Sequence, residues 1–252
     1  GGPGPAPPPG GNLEAALSFV RQRRAAPDER DQAYCAFIRA LAGWGVFSGL
    51  PLDASGVLQL SAPFCHDFFE APLLLPFLAG QLLDRGGAAG IAAFGCDLHP
   101  QGFWWPAWEE WTAHALGPRV ALRLRQQDLE REPLPKAGLI IAAHPEVTNG
   151  GPWPAILANV LQSRVPGAHC VFATFYAQEA EAAARVCQDC GAACEIRESP
   201  HYAGQPATAV GTFHRYAVIV SGAAAPGPAG QLPAAGLAGA VAPGALREDP
   251  SP

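Results

Sequence analysis

From residue 12 onward, apolar side chains recur every three or four positions through two blocks, 13–24 and 29–41, with Tyr34, Phe37, Ile38 and Leu41 forming the stripe of the second. That spacing puts apolar groups on one face of a helix. Asn12 and Asp28 stand where each helix needs a side-chain acceptor for its first free N–H groups. Both helices should pack on the domain that follows. A glycine-rich stretch, 43–56, then reads as loop. Beyond it, short apolar runs alternate with longer periodic ones. Val57–Leu60, Ile91–Cys96, Val120–Arg125, Gly138–Ala143 and His169–Phe175 read as strands. Pro72–Asp84, Trp104–Leu116, Trp153–Ser163 and Gln178–Cys190 read as helices, with stops at Gly86-Gly87, Gly117-Pro118 and Gly191.

Strand–helix alternation at this spacing implies βαβ units and a parallel sheet, wound with right-handed crossovers. Runs such as Leu139-Ile140-Ile141-Ala142 fit strands buried on both faces. The end of the pattern differs. Ala193–Arg197 and Phe213–Val220 both read as strands, with no helix between them. Their connection carries Pro200, Gly204, Pro206 and Gly211. The predicted fold is therefore α/β: a doubly wound, mostly parallel seven-stranded sheet with an antiparallel last strand, preceded by N-terminal helices. The expected organisation is a disordered Gly/Pro-rich segment at 1–11, a helical extension at 12–56, the α/β domain at 57–221 and a disordered Ala/Gly/Pro-rich tail at 222–252.

Composition narrows the partners. Sixteen Lys and Arg against 22 Asp and Glu give a net charge of −6, which leaves no general footprint for nucleic acid or anionic lipid. Arg21, Arg23 and Arg24 form either a local basic patch or a solvated helix face. No apolar run reaches the length of a membrane span. Seven Cys, an odd number without repeated spacing, suggest a reduced, intracellular setting, the cytoplasm by default. Cys187-x-x-Cys190 lies on a helix without a second ligand pair, so no metal site is expected. Trp104, Trp108 and Trp111 share a helical stripe, which suits packing on the sheet or, alternatively, stacking on an aromatic ligand.

In open α/β sheets ligands sit beyond the carboxyl ends of the strands. A strand pair closing a parallel sheet, with an acidic residue after the second strand (Asp97) and another after the third (Asp128), resembles the class I S-adenosylmethionine-dependent methyltransferases. The resemblance covers about two-thirds of the chain and rests on strand order and these positions, not on a diagnostic motif. It implies S-adenosylmethionine as cofactor. In that reading Asp97, with Leu98 beside it, binds the ribose hydroxyls, a task suited to the two acceptor oxygens of a carboxylate. The alternative is an Asp in a turn. Asp128 and Leu129 then meet the adenine, unless Asp128 simply opens the charged stretch Glu130-Arg131-Glu132.

The family's first loop is glycine-rich and follows an acidic strand residue. Here Gln59 takes the acidic position and Ser61, Pro63 and Cys65 take the glycine positions, so the loop is degenerate. Ser61, Pro63 and Asp67 are still its cofactor-facing candidates, with His66 and Asp67 either contacting a ligand or capping the next helix. After the fourth strand, His144 and Glu146 are the candidate acid and base toward a methyl acceptor. A loop His bonded to backbone is the alternative for His144. The acceptor is either a small molecule or a protein. Two other functions stay open: a methyltransferase-like domain that has lost catalysis and serves as a binding scaffold, and another nucleotide-binding enzyme. The second lacks any GxGxxG or GxxxxGK[ST] phosphate cradle.

Overall fold

The structure, a computed structural model, describes residues 12–99, 103–206 and 212–221. Two helices open the chain, α1 (Asn12–Ala25) and α2 (Glu29–Gly43). The sheet then alternates with helices: β1 (Val57–Pro63), α3 (Ala71–Leu82), β2 (Gly90–Asp97), α4 (Trp104–Leu116), β3 (Val120–Gln126), β4 (Ala137–Ala143), α5 (Trp153–Gln162), β5 (Arg164–Thr174), α6 (Ala177–Asp189), β6 (Cys194–Glu198) and β7 (Tyr216–Val220). Short 3-10 turns lie at Val147–Asn149 and Pro200–Tyr202.

The strand order is β3-β2-β1-β4-β5-β7-β6. β1, β2, β3, β4 and β5 pair in parallel. β7 runs antiparallel to both β5 and β6, so only the last strand is reversed. The order turns around at β1 and β4, which opens a crevice at their carboxyl ends.

Alternation along the strands separates two apolar layers. Leu58, Leu60, Leu139 and Ile141 face one way and pack with α1, α2, α3 and α4. Ile140, Ala142, Cys170, Phe172 and Val218 face the other way and pack with α5 and α6. Helices therefore cover both faces, which is why β4 is apolar without interruption. Gly138 is required where β4 passes a neighbouring loop: a Cβ there would collide with the Pro51 carbonyl oxygen.

The two N-terminal helices share this core. Tyr34, Phe37, Ile38 and Leu41 are all buried in the layer that contains β1 and α3. Asp28 caps α2 by accepting the Asp31 N–H at 2.8 Å. Arg23 pairs with the buried Asp31 and donates to the Phe69 carbonyl, while Arg30 meets Glu70 at 2.6 Å. These contacts fasten α1 and α2 to the segment between β1 and α3. They also dissolve the basic patch, since Arg23 turns inward and Arg21 pairs with Glu14.

Three boundaries differ from the sequence expectation by three residues or more. β1 continues to Pro63 rather than stopping at Leu60, in unbroken register with β2 as far as Cys96. β5 begins at Arg164, five residues before the expected His169, because Arg164 pairs with Ala137. β7 begins at Tyr216 rather than Phe213, because His214 takes a left-handed φ of 50° that ends extended pairing. The segments 1–11 and 222–252, expected to be disordered, lie outside the described residues. Among the described residues no helix is long and apolar enough to cross a membrane.

If α2 belongs to the core, its truncation should destabilise the whole domain. Phe37 is fully buried, so Phe37→Ala should cost about 3–5 kcal/mol. In urea titration it should shift the single transition reported by both tryptophan fluorescence and circular dichroism. An early transition confined to the helices would show that α1 and α2 fold separately.

Candidate functional site

The crevice is floored by the loop that follows β1. Between Phe64 and Phe68 the backbone is left-handed at every second residue: φ is 59° at Phe64, 47° at His66 and 51° at Phe68. None of these is glycine, and each left-handed residue with a Cβ costs roughly 1–2 kcal/mol. Neighbouring groups hold the loop there. The His66 N–H donates to Asp97 Oδ2 at 3.0 Å. The Trp105 indole N–H donates to the His66 carbonyl at 2.7 Å, and that of Trp108 to the Asp67 carbonyl at 2.8 Å. Cys65 N–H donates to the Cys96 carbonyl at 3.2 Å. The tryptophan-rich helix α4 thus packs on the sheet with Trp105, Trp108 and Trp111 buried, and two of its indoles also clamp the loop.

This geometry moves the expected register by three residues. The left-handed positions are Phe64, His66 and Phe68, not Ser61, Pro63 and Cys65. Ser61 and Pro63 are buried inside β1, and neither lines the crevice. Gln59 lies further back in the strand, bonded to Asp53 at 2.8 Å. Ala62, also buried, occupies the place two residues before the first left-handed turn.

The remaining candidates do converge. A cleft of about 1060 Å³ is lined by Asp67, Asp97, Leu98, Asp128, Leu129, His144 and Glu146. Asp97 ends β2; its Oδ1 accepts the His99 N–H at 3.2 Å and its Oδ2 the His66 N–H. Each oxygen keeps one further acceptor site. Leu98 is half exposed, whereas Leu129 is almost wholly buried. Asp128 accepts the Glu130 N–H at 3.0 Å and sits 3.7 Å from Arg131. Glu146 is exposed, and its Oε2 accepts the Asn149 amide at 3.1 Å.

His144 departs from its expected chemistry. Its backbone is left-handed at 54°, and its ring lies flat on Phe175 with centroids 3.6 Å apart. Both ring nitrogens are buried without a hydrogen-bond partner. The ring of His214 lies 4.5 Å away, itself fully buried and unpartnered. Burial, and secondarily the proximity of His214, pushes His144 well below the ordinary histidine value. Burial lowers His214 to about 3. His144 therefore stays neutral instead of titrating near pH 7.

Sequence reasoning did not single out Phe64, Glu70, Trp153, Phe175 or Arg30, all of which line the same cleft. Phe64 and Trp153 meet edge to face, with centroids 5.1 Å apart. The aromatic residues closely following β1, β4 and β5 were the available signal. Nothing local in the sequence could place Arg30, which arrives from α2. Among the described residues no group of three His, Cys, Asp or Glu side chains is placed to hold a metal ion. All seven Cys are free thiols, with burial pushing Cys96 and Cys187 up to about 12.

No family model matches the chain, and no curated protein matches it. Solved structures do. The chain is similar to magnesium protoporphyrin IX methyltransferase (ChlM) from Synechocystis PCC 6803 with bound SAM, at 15% identity and a TM-score of 0.50, over 81% of this chain and 89% of that one. The same enzyme with bound SAH gives 13% identity and a TM-score of 0.50, over 81% and 93%. SeMet-substituted CurJ carbon methyltransferase gives 12% identity and a TM-score of 0.53, over 84% of this chain and 61% of that one. The chain has the class I S-adenosylmethionine-dependent methyltransferase fold.

The two buried imidazoles make stability depend on pH. In the unfolded chain they protonate near 6.5, while the native chain keeps them neutral. The native state thus binds fewer protons below that value, and its stability falls on acidification. The contribution of His214 is complete above about pH 6.5 and declines toward pH 3 by about 1.4 kcal/mol per pH unit, and that of His144 declines in the same direction. His214→Asn, which tolerates the left-handed backbone, should flatten this acid limb in urea titrations between pH 7 and 4. An unchanged limb would show that His214 is protonated in the native state.

Proposed function

We propose that the chain is an S-adenosylmethionine-dependent methyltransferase. The observation that carries this reading is the Asp97 carboxylate at the end of β2, opening on the cleft beside the strand-order reversal, with acceptor capacity remaining on both oxygens. The donor set fits the cofactor. Asp97 would hold the ribose hydroxyls, Leu98 and Leu129 the flanks of the adenine and Asp128 its amino edge. The loop from Phe64 to Asp67 would border the methionine portion, without contributions from Ser61 or Pro63. When bound, S-adenosylmethionine supplies a methyl group on a sulfonium sulfur.

The protein's own work is then positioning, water exclusion and proton handling. Arg30 from α2 and Glu146, just before the 3-10 turn, border the acceptor side. Phe64, Trp153 and Phe175 provide apolar walls. Glu146 is the group able to take a proton from an acceptor, because the His144 nitrogens are buried and their ring resists protonation. His144 instead shapes the wall as a neutral plate against Phe175.

The glycine-free loop favours a second reading, a catalytically inactive binding domain, since Phe64 and His66 carry side chains where a glycine would leave room. Calorimetric titration with S-adenosylmethionine and with its demethylated product separates the two. Asp97→Ala should weaken binding at least tenfold, because charged hydrogen bonds contribute about 1.5–3 kcal/mol each. Asp128→Ala should weaken it less. Absence of binding by the parent chain at millimolar cofactor would support the inactive domain.

A further inference from the structure

The cleft divides along the strand order. Asp97 and Asp128 follow β2 and β3, on one side of the β1 loop, while His144, Glu146, Trp153 and Phe175 follow β4 and β5, on the other. On this second side the charges are unbalanced. Among the described residues lining the cleft, Arg30 is the only Lys or Arg, and Glu70 already pairs with it at 2.6 Å. His144 and His214 are held neutral by burial. Glu146 remains as an exposed carboxylate, whereas the Asp67 carboxylate beside the loop meets the His66 ring at 3.1 Å. An anionic acceptor would therefore face the Glu146 carboxylate, while the Arg30 guanidinium is already charge-paired with Glu70 through one of its nitrogens.

The walls point the same way. Phe64 and Trp153, both half-buried and edge to face, border this side. Aromatic faces attract a desolvated cation and have no comparable attraction for an anion. Behind the floor lies a ring with one free donor and one free acceptor nitrogen. Behind the cleft a cavity of about 20 Å³, room for one water, lies against Tyr34, Glu70 and His214. His214 is fully buried there and neither of its ring nitrogens has a partner. That orphaned imidazole adjoins a space able to hold a hydrogen-bonding guest.

We propose that this half of the cleft binds a small primary or secondary amine in its ammonium form, as the methyl acceptor. The inference rests on the transferase reading only for the word acceptor; recognition of the cation stands on the cleft itself. The ammonium pairs with Glu146 while its apolar body lies against Phe64 and Trp153. Loss of one N–H proton from the ammonium to solvent, by way of the exposed Glu146 carboxylate, gives the neutral amine and leaves Glu146 ionised. The nitrogen lone pair is then free to act as nucleophile.

Three probes of similar shape test this: phenethylamine, 2-phenylethanol and 3-phenylpropionate, each titrated into the ¹⁵N-labelled full chain at pH 7.5 and followed by NMR. The amine should bind at least ten times more tightly than the carboxylate, with shifts at the Trp153 indole. Glu146→Gln lies on an exposed loop, and it should reduce that preference to within about threefold. Trp153→Leu should weaken the amine more than the alcohol. Equal or tighter binding of the carboxylate, or a preference that survives Glu146→Gln, would overturn the proposal. Calorimetry with S-adenosylmethionine on the same samples separates the two readings. Amine preference without cofactor binding supports the cation site and removes methyl transfer. Cofactor binding without amine preference leaves the transferase reading standing and overturns this one.

Discussion

Between Phe64 and Phe68 the backbone turns left-handed at alternate residues, and side chains from two other elements keep it there. The floor of the cleft depends on this arrangement. Asp97 receives the His66 N–H, so the carboxylate proposed to meet the ribose also fixes the loop beneath it. Trp105 and Trp108 hold two successive carbonyls from the opposite side. In a glycine-rich loop such conformations carry little steric cost. Here the cost is offset by an aspartate and two indoles that would otherwise have no reason to converge.

The second constraint is burial of polar groups around the side of the cleft that follows β4 and β5. Arg23, Asp31, Arg30 and Glu70 link α1 and α2 to the segment following the loop. His214 reaches the same place from the turn before β7 and lies tilted against His144. Desolvation leaves both imidazoles uncharged, so the charges of this half are the Arg30–Glu70 pair and the Glu146 carboxylate. α2 thus borders the cleft through Arg30 as well as forming part of the core.

The sheet was legible in the sequence because buried parallel strands are apolar on both faces. Leu139 to Ala142 has this pattern, and the helices between strands carry their own period. The terminal strand pair was legible from the missing helix between β6 and β7. The loop register was not. Pro63 reads as a strand breaker, yet it sits at the last pairing of β1, opposite Cys96. Left-handed turns are usually found through glycine, and Phe64, His66 and Phe68 give no such signal. The groups that hold them lie about 30 to 40 residues away, at Asp97, Trp105 and Trp108. Asp97, Asp128 and Glu146 could be placed at the cleft because strand ends locate them. The neutrality of His144 was hidden, since it depends on Phe175 and His214, which only the fold brings close.

The loop geometry can be tested at one position with two variants. His66 is exposed, so exchanging its side chain for hydrogen or methyl changes little packing. At an ordinary backbone position Gly is less stable than Ala by about 0.5–1 kcal/mol. At a left-handed position the order reverses, because Ala retains the Cβ clash that Gly removes. Urea denaturation of His66→Gly and His66→Ala should therefore find the glycine variant more stable, by about 1 kcal/mol. A more stable alanine variant would mean that the loop is not left-handed at His66 and that the floor of the cleft is built otherwise.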